Sequence, residues 1–452
     1  MKRSFVRCLL LCSGFAALFA TLNAQVIEFR ATINAGQENP ATASTATGSA
    51  VLLYDVGANT FDLFVTLTGF TNTITLSHVH EAAVGVNGPV VTNLGSESVY
   101  VRTGNTITGT FRNITHGGDK LKLLQNGAYL NFHSSTNPSG EVRGQLIAQP
   151  KRLSAVINAA NEVAANPIVS QAFGGAVMSY NSGTNRVTLE VTLFNFSNTL
   201  TASHYHEAAV GVNGPVVTNL GGAAVYTVNG GNISRVFADL AYTGDPIKLL
   251  TGGAYLNFHS NIYGGGEIRG QVVAAEEVAS SRLINASARG FVGTGNQVLI
   301  AGLGVTGTEP VPIRIVGRGP SLAAFGVQGA LSDPVISLYG PAGLMASNDN
   351  HAVVAPSVAP TGLDAKDAVL DVILPPGGYS IVVSGAGGAT GIALIESFEQ
   401  RTGSTRVLSL TGTSPSTPVT NVAAAADVRR KGPPLVLEIC GAPMTGTVTA
   451  SR

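Results

Sequence analysis

The sequence contains 452 residues, of which 44% are hydrophobic and 12% are charged, and its 26 basic and 26 acidic residues give a formal net charge of zero. This length suggests about three domains, and the hydrophobic fraction is sufficient for packed cores. A chain without excess positive charge is not expected to bind nucleic acid, because that binding needs clustered Lys and Arg. The 55 glycines favour short strands joined by tight turns.

Residues 1–24 predict a signal peptide. Basic side chains near the start precede an apolar run at residues 8–22, and Ala24 supplies a small residue before cleavage. The run is shorter than the roughly 18–20 residues needed to cross a bilayer, so no membrane span is expected. The mature protein is therefore expected to be secreted, periplasmic or attached to the cell surface.

The cysteines bear on how the exported protein is stabilised. Cys8 and Cys12 lie in the leader, and Leu11 before Cys12 disfavours processing as a lipoprotein. Only Cys440 remains afterwards, so an intramolecular disulfide is not possible. The protein must then be held together by its core or by bound metal.

An internal repeat dominates the sequence. Three segments recur 126 residues further along the chain, with two substitutions in all, Val79 to Tyr205 and Val142 to Ile268. The repeated segments are residues 78–95 and 204–221, 127–134 and 253–260, and 140–145 and 266–271. They define two units, residues 26–149 and 150–275, which we expect to fold separately.

The stretches between these segments have diverged, at residues 96–126 and 222–252. The repeated segments are therefore constrained more tightly than their surroundings. A shared site, gene conversion or the geometry of a turn are all possible reasons.

Each unit is predicted to be all-β. Residues 51–54, 60–67 and 184–194 have the composition of strands and are bounded by Gly and Asn. Their spacing of about ten residues predicts a Greek-key β-sandwich or barrel. Asn87 and Gly88 predict a tight turn after the first histidine segment.

The repeated histidines form a candidate metal site in the first unit. In a strand, residues two apart share one face, so His78 and His80 project together. In the segment 129–133 the same alternation places His133 on the face opposite Leu130 and Phe132. Three imidazoles therefore converge if the two strands are close in space.

The second unit repeats this pattern with His204, His206 and His259. Three neutral imidazoles suit one Cu or Zn ion and leave a fourth position for water or another donor. The alternative is that the histidines only hydrogen-bond to loop backbone and fix the turn. A metal held this way is expected to dissociate as the pH falls through roughly 6.5, the usual pKa of His.

Other polar residues near the repeats are expected to have lesser roles. Glu81 and Glu207 point away from the histidine face of an ideal strand, so they are not expected to be ligands. His116 has Tyr242 as its counterpart and is not expected to belong to the site. His351 lies outside both units.

Arg143 and Arg269 occupy equivalent positions in the segment Gly-Glu-x-Arg-Gly-Gln. Two roles are open for them. Each is either a structural residue paired with a nearby carboxylate or an anion guide beside the metal.

Each unit resembles a CHRD domain, the module named from chordin and common in exported bacterial proteins. The resemblance rests on three motifs and on the opening segment, and it covers about 250 residues. The matching segments are residues 35–40, 78–91, 128–133 and 140–145. It implies an exported β-domain protein and leaves its activity open.

A fainter resemblance is to copper/zinc superoxide dismutase, a Greek-key β-barrel. His78, His80 and His133 are similar in order and strand type to three of its copper ligands. Gly95 and Gly221 stand where the dismutase has its bridging histidine, and its zinc ligands and disulfide have no counterpart. The resemblance therefore implies a mononuclear copper site, while these departures weigh against dismutase chemistry.

Residues 282–399 are predicted to form a third β-domain, similar to the jelly-roll or immunoglobulin-like accessory domains of exported bacterial proteins, especially the pre-peptidase C-terminal type. The predicted strands are residues 298–302, 313–317, 335–339, 369–374 and 379–383. Residues 400–452 are predicted to be a Ser/Thr/Pro-rich linker and tail that ends in a strand at 435–439.

Acidic residues of the third region are candidate calcium ligands, but side chains of this kind more often cap turns, so Ca²⁺ is not expected. These residues are Asp333, Asp349, Asp364 and Asp367.

Three functions are compatible with the sequence. The first is an exported, non-catalytic binding or adhesion protein that recognises an extracellular or cell-surface ligand and is loaded with metal. The second is a copper-dependent oxidoreductase related to superoxide dismutase. The third, a hydrolase, lacks a nucleophile motif such as Gly-x-Ser-x-Gly.

Overall fold

The computed structural model describes residues 25–275, 283–341, 343–350, 362–400, 409–413, 425–428 and 449–451. The leader, His351, Cys440 and the strand expected at 435–439 lie outside these residues. The fold is all-β, as predicted, and the α-helices of the described residues each have five residues. Within these ranges, none of the helices has the length and apolarity required to cross a membrane.

The first unit contains ten strands. They are β1 (Val26–Asn34), β2 (Thr47–Asp55), β3 (Thr60–Thr68), β4 (Ile74–His80), β5 (Val90–Gly95), β6 (Val101–Thr103), β7 (Thr106–Thr115), β8 (Tyr129–Ser134), β9 (Val142–Gln145) and β10 (Ile147–Ala148). Helix α1 spans Lys120–Leu124, and 3-10 turns span Ala35–Gln37 and Glu97–Val99.

The second unit repeats this series. Its strands are β11 (Lys151–Asn158), β12 (Phe173–Asn181), β13 (Arg186–Phe194), β14 (Leu200–His206), β15 (Val216–Asn219), β16 (Thr227–Asn229), β17 (Asn232–Ala241), β18 (Tyr255–Ser260), β19 (Ile268–Gln271) and β20 (Val273–Ala274). Helix α2 spans Pro246–Leu250, and 3-10 turns span Ala159–Asn161 and Ala223–Val225.

Each unit is one antiparallel ten-stranded sheet. The strand order in the first unit is β5-β4-β8-β9-β1-β2-β3-β7-β6, with β10 paired to β1, and the second unit has the equivalent order. Strands that are distant in sequence, such as β4 and β8, are neighbours because the chain crosses between the two ends of the sheet. This crossing brings the two histidine segments together.

The sheet curls around a single core. The Tyr100 ring lies 5.5 Å from that of Phe111 on β7 and 6.3 Å from that of Phe132 on β8, although these strands are far apart in the sheet order. Its hydroxyl donates to Ser77 Oγ on β4 at 2.7 Å. The sandwich or barrel expected from the sequence is therefore built from one curled sheet.

The third region contains the remaining strands, which are β21 (Leu283–Val292), β22 (Leu299–Val305), β23 (Val311–Arg318), β24 (Pro334–Gly340), β25 (Gly343–Asn348), β26 (Ala368–Leu374), β27 (Gly377–Gly385), β28 (Gly391–Glu399), β29 (Ser409–Thr413), β30 (Ala425–Val428) and β31 (Thr449–Ser451). It also has 3-10 turns at Pro320–Phe325 and Ala386–Gly388. The strands of this region form a six-stranded sheet, β26-β23-β28-β21-β30-β31, and a five-stranded sheet, β25-β24-β27-β22-β29, around a separate apolar core. Strands of the C-terminal tail thus pair with this region.

The acidic residues of the third region include a turn-capping carboxylate. Asp367 Oδ1 accepts the Gly319 backbone N–H at 2.8 Å, and its Oδ2 accepts the Asp364 N–H at 2.8 Å. Asp333 forms an ion pair with Lys366 at 3.0 Å.

The three regions touch one another. The buried apolar residues of the two units belong to one continuous cluster. The side chain of Phe194, from the second unit, belongs to the core of the third region, and the Ile373 N–H donates to Thr192 Oγ1 at 3.4 Å. That each unit folds separately stays a prediction.

Candidate metal centres

The pairing of β4 with β8 places three histidines on one face of the first unit's sheet. His78 lies opposite Asn131 and His80 opposite Tyr129, while His133 lies opposite Leu76. The intervening residues Val79, Leu130 and Phe132 are fully buried in the core on the other face. The period of two that predicted this grouping therefore operates in both strands.

The three imidazoles converge. Ring centroids are 5.0 Å apart for His78 and His133, 5.5 Å for His78 and His80, and 5.9 Å for His80 and His133. The candidate ligand nitrogens all lie within 4.8 Å of one another, and each histidine is only 8–9% exposed.

Backbone carbonyls fix the tautomers of two of the rings. His80 Nδ1 lies 2.9 Å from the Gly88 oxygen, and His133 Nδ1 lies 3.0 Å from the Pro138 oxygen. A carbonyl only accepts, so both Nδ1 atoms carry the proton and both Nε2 atoms present a lone pair. His80 Nε2 is buried and has no hydrogen-bond partner among the described residues. An unpartnered acceptor of this kind fits a metal ligand.

His78 has a different orientation from the other two. Its Nδ1 lies 3.2 Å from His133 Nε2 and donates to that lone pair while no ion is bound. A bound ion would displace this proton to His78 Nε2 and take the Nδ1 lone pair. The donor set would then be His78 Nδ1, His80 Nε2 and His133 Nε2.

The second unit reproduces these contacts. His204 Nδ1 lies 3.1 Å from His259 Nε2, and His206 Nδ1 lies 2.9 Å from the Gly214 oxygen. His259 Nδ1 lies 3.1 Å from the Gly264 oxygen. His206 Nε2 is buried without a hydrogen-bond partner among the described residues, as His80 Nε2 is.

Burial keeps the imidazoles neutral. It lowers the pKa of His78 to about 4, with further contributions from His133 and His80, and it lowers the pKa of His204 to about 4 in the same way. The pKa values of the other four histidines are also lowered, with burial the largest cause. Because a metal binds only neutral imidazole, the sites are ready to bind near neutral pH.

An arginine and a tyrosine support His80. The His80 ring stacks on Tyr129 with centroids 4.9 Å apart, and the Arg143 guanidinium lies 4.3 Å from the centre of the same tyrosine ring. Arg143 donates to the Val86 oxygen at 3.2 Å and to Asn87 Oδ1 at 3.1 Å.

The structure bears on both roles considered for Arg143. It is 1% exposed, so it cannot guide anions from solvent. Its hydrogen bonds go to a backbone oxygen and an amide, and the nearby carboxylate is Glu38, whose pKa the Arg143 charge lowers. Arg269 is equally buried and donates to Asn213 Oδ1 at 3.4 Å and to the Ala209 oxygen at 3.2 Å.

The loop after β4 is shaped by the site. The Gly88 N–H donates to the Tyr129 hydroxyl at 3.1 Å, and Gln145 Nε2 donates to the Ala82 oxygen at 3.0 Å. A Cβ atom on Gly88 would overlap the Glu81 carbonyl oxygen. The loop is therefore held so that the Gly88 oxygen meets His80.

Glu81 and Glu207 lie away from the triads, as expected. Glu81 forms an ion pair with Lys122 at 2.7 Å and accepts the Asp119 N–H at 2.6 Å. Glu207 forms an ion pair with Lys248 at 3.1 Å. His116 packs edge-on against Tyr54 at 5.9 Å and is outside the triad.

Sequence reasoning missed the acceptors that orient the rings. The carbonyls of Gly88 and Pro138 carry no side-chain signal. The loop of Gly88 is retained in the second unit, whereas the loop of Pro138 has diverged and has Gly264 at the equivalent position. It also missed Glu38, a buried carboxyl whose pKa burial raises to about 7 while the Arg143 charge lowers it.

The triads fit a small metal ion after a modest closure. Nitrogens bound to one ion at about 2.0–2.1 Å can be no more than about 4.2 Å apart, and the candidate nitrogens lie within 4.8 Å of one another. Binding would therefore draw the rings slightly inward. A three-nitrogen set leaves one tetrahedral position open.

The fold and the paired sites define a tandem β-domain protein of the binding type. The family model for the CHRD domain matches residues 29–146 and 153–272, which together make up more than half of the chain. The protein therefore belongs to the CHRD family and carries two of these domains in tandem. CHRD domains are extracellular-type binding domains. No curated protein matches the chain.

Proposed function

We propose that this protein is an exported, non-catalytic binding protein in which each CHRD domain holds one Cu or Zn ion through three histidines. The single observation that carries the proposal is the buried, unpartnered Nε2 of His80, which recurs at His206. An unsatisfied buried acceptor costs about 1–3 kcal/mol. A bound ion removes that cost in both units.

The chemistry of the donor set supports copper or zinc. Both groups consist of imidazole alone, and among the described residues neither includes a carboxylate or thiolate. Imidazole suits Cu and Zn, whereas Ca²⁺ and Mg²⁺ need oxygen ligands. When bound, such an ion links β4 to β8 and so stabilises the curled sheet.

The leader-like sequence of residues 1–24 and the extracellular character of the family support export. The partner would then be an extracellular or cell-surface ligand. N-terminal sequencing of the secreted protein is expected to begin near Gln25. A mature chain that begins at Met1 would contradict export through a cleaved leader.

A copper-dependent oxidoreductase is the second candidate. The observation that favours it is the three-nitrogen donor set, which leaves a coordination position for a small reactant. Copper-loaded protein that consumes superoxide faster than its His80→Ala/His206→Ala variant would support this candidate over a purely binding role.

Melting curves test metal binding itself. An ion that binds only the folded protein raises the unfolding temperature, and the gain is about 4 kcal/mol when free ion is present at about 1,000 times its dissociation constant. We expect wild-type protein with Cu²⁺ or Zn²⁺ to melt at a higher temperature than protein with chelator. Identical curves would leave the triads as turn-fixing residues.

A further inference from the structure

Each of the two histidine sites has a buried arginine, and therefore a fixed positive charge, close to it. In the first unit, Arg143 lies over the Tyr129 ring on which His80 stacks. In the second unit, His206 stacks on Tyr255 at 4.9 Å, and the Arg269 guanidinium lies 3.4 Å from the centre of that ring.

Solvent does little to screen these guanidinium groups. Arg143 and Arg269 are each 1% exposed, and arginine stays protonated in proteins. Their hydrogen bonds go to loop carbonyls and to amide oxygens, which are neutral. Each charge therefore lies close to the neighbouring triad, separated from its second histidine by one tyrosine ring.

The carboxyl groups near the triads carry less charge than the fully protonated arginines. Glu38 is the carboxyl that interacts with Arg143, and it is buried to 7% exposure, which favours its neutral form. Glu162 has the same position in the second unit. Glu81 and Glu207 are paired with lysines instead.

We propose that Arg143 and Arg269 make each site selective for monovalent copper over divalent ions. This inference rests on the proposed metal-binding function. A fixed positive charge repels a divalent ion twice as strongly as a monovalent one at the same distance. Three neutral imidazoles supply no charge that would compensate a divalent ion. Cu(I), a d¹⁰ ion, accepts three neutral nitrogen donors without a fourth ligand.

The full-length wild-type chain provides the first test. Its affinity for Cu(I) is measured anaerobically against bathocuproine disulfonate, and its affinities for Cu(II) and Zn(II) against nitrilotriacetate. We expect Cu(I) to bind tightest and the bound copper to have a reduction potential above that of aqueous copper in the same buffer. A lower potential, or tighter binding of Zn(II), would overturn the inference.

Variants of Arg143 isolate the effect of charge, in a His206→Ala/His259→Ala background that silences the second site. Arg143→Gln keeps a planar polar group without the charge, and we expect the ratio of Cu(I) to Cu(II) affinity to fall by about tenfold. Arg143→Lys keeps the charge and should retain most of the ratio. Far-ultraviolet circular dichroism of each variant establishes that it folds.

Arg112→Gln is the matched control, because Arg112 also lies over an aromatic ring, Phe64 at 4.5 Å, but is largely exposed and pairs with Asp62. It should leave the copper ratio unchanged. An unchanged ratio in Arg143→Gln, or equal losses in the Gln and Lys variants, would overturn the inference and leave Arg143 a structural residue. Absence of both copper and zinc binding by the wild-type chain would instead refute the proposed function.

Discussion

The two CHRD domains of this chain have nearly the same histidine geometry and different surroundings. The distance from Nδ1 of the first histidine to Nε2 of the third is 3.2 Å in the first unit and 3.1 Å in the second. Tyr242, however, donates a hydrogen bond to Glu207 at 3.1 Å, whereas the imidazole nitrogens of its counterpart His116 have no hydrogen-bond partner among the described residues. Divergence has reached these supporting residues and has not reached the triads or the loop that follows the second histidine.

This contrast explains why an exposed loop is retained. Val84 and Val86 are exposed, and nothing about their burial demands that they recur as Val210 and Val212. The loop backbone, however, supplies the oxygen that accepts from His80 or His206. The constraint therefore falls on the path of the loop. Of the three reasons considered for the repeat, turn geometry and a shared site both require this path.

The largest expected effect is the loss of metal-dependent stabilisation in one unit while the other unit retains it. His133→Ala should abolish the metal-dependent gain in unfolding temperature of the first unit, worth about 4 kcal/mol at about 1,000 times the dissociation constant, and leave that of the second. His259→Ala should do the converse. Differential scanning calorimetry with ion and with chelator measures both.

His116→Ala is the control for these variants and should change neither gain. If His133→Ala lowers stability by about 1 kcal/mol with and without ion alike, the histidine merely forms a hydrogen bond and the metal account is wrong.

Gly88→Ala should break the first site through its loop. The added Cβ would overlap the Glu81 carbonyl oxygen, and such overpacking costs about 1–3 kcal/mol and displaces the acceptor of His80. Chemical denaturation and metal affinity should both show the loss. Gly214→Ala should do the same in the second unit.

Gly104→Ala serves for comparison, because Gly104 has a φ of 59° with open space around its Cβ position. It should cost stability without affecting metal affinity. Retention of full affinity by Gly88→Ala would show that the loop does not control the site.

The pH dependence sharpens the comparison between free and bound histidine. The pKa of His78 is lowered to about 4 from a usual value near 6.5, so the unfolded chain binds more protons between these values. Stability of the ion-free protein should therefore be full above pH 6.5 and fall as the pH drops toward 4. Metal should remain bound well below 6.5, contrary to the expectation from an unperturbed histidine. Loss of metal centred at 6.5 would contradict this environment.

The smallest expected effect concerns the residue that differs between the units. His116→Tyr gives the first unit the side chain that donates to Glu207 in the second. One additional hydrogen bond to Glu81 should stabilise the protein by about 1 kcal/mol, measured by chemical denaturation. In the paired variant His116→Tyr/Glu81→Gln the charge-assisted part of this gain should be lost. An equal gain in the Glu81→Gln background would assign the effect to packing.

Much of the fold followed from patterns of residues. The strand expected at residues 369–374 is Ala368–Leu374, and the one expected at 60–67 is Thr60–Thr68. Hydrophobic runs bounded by Gly and Asn determine strands locally, which explains this agreement. The grouping of the six histidines likewise followed from the period of two and from the repeat.

The rest depends on tertiary structure. The oxygens of Gly88 and Pro138 meet histidines because of loop dihedral angles that composition does not encode. The sequence did not predict that the Arg143 guanidinium lies over Tyr129. It does so because the β8–β9 pairing places Gln145 opposite Tyr129 and Arg143 opposite Asn131. Side-chain partners of this kind depend on which strands become neighbours.

The metal content of the purified chain tests the central claim most directly. After equilibrium dialysis against copper or zinc and removal of loosely bound ion, elemental analysis should find two ions per wild-type chain. It should find one in His133→Ala and none in His133→Ala/His259→Ala. A wild-type chain without stoichiometric metal, or a double variant that binds as much as wild type, would contradict the assignment of the two triads as metal sites.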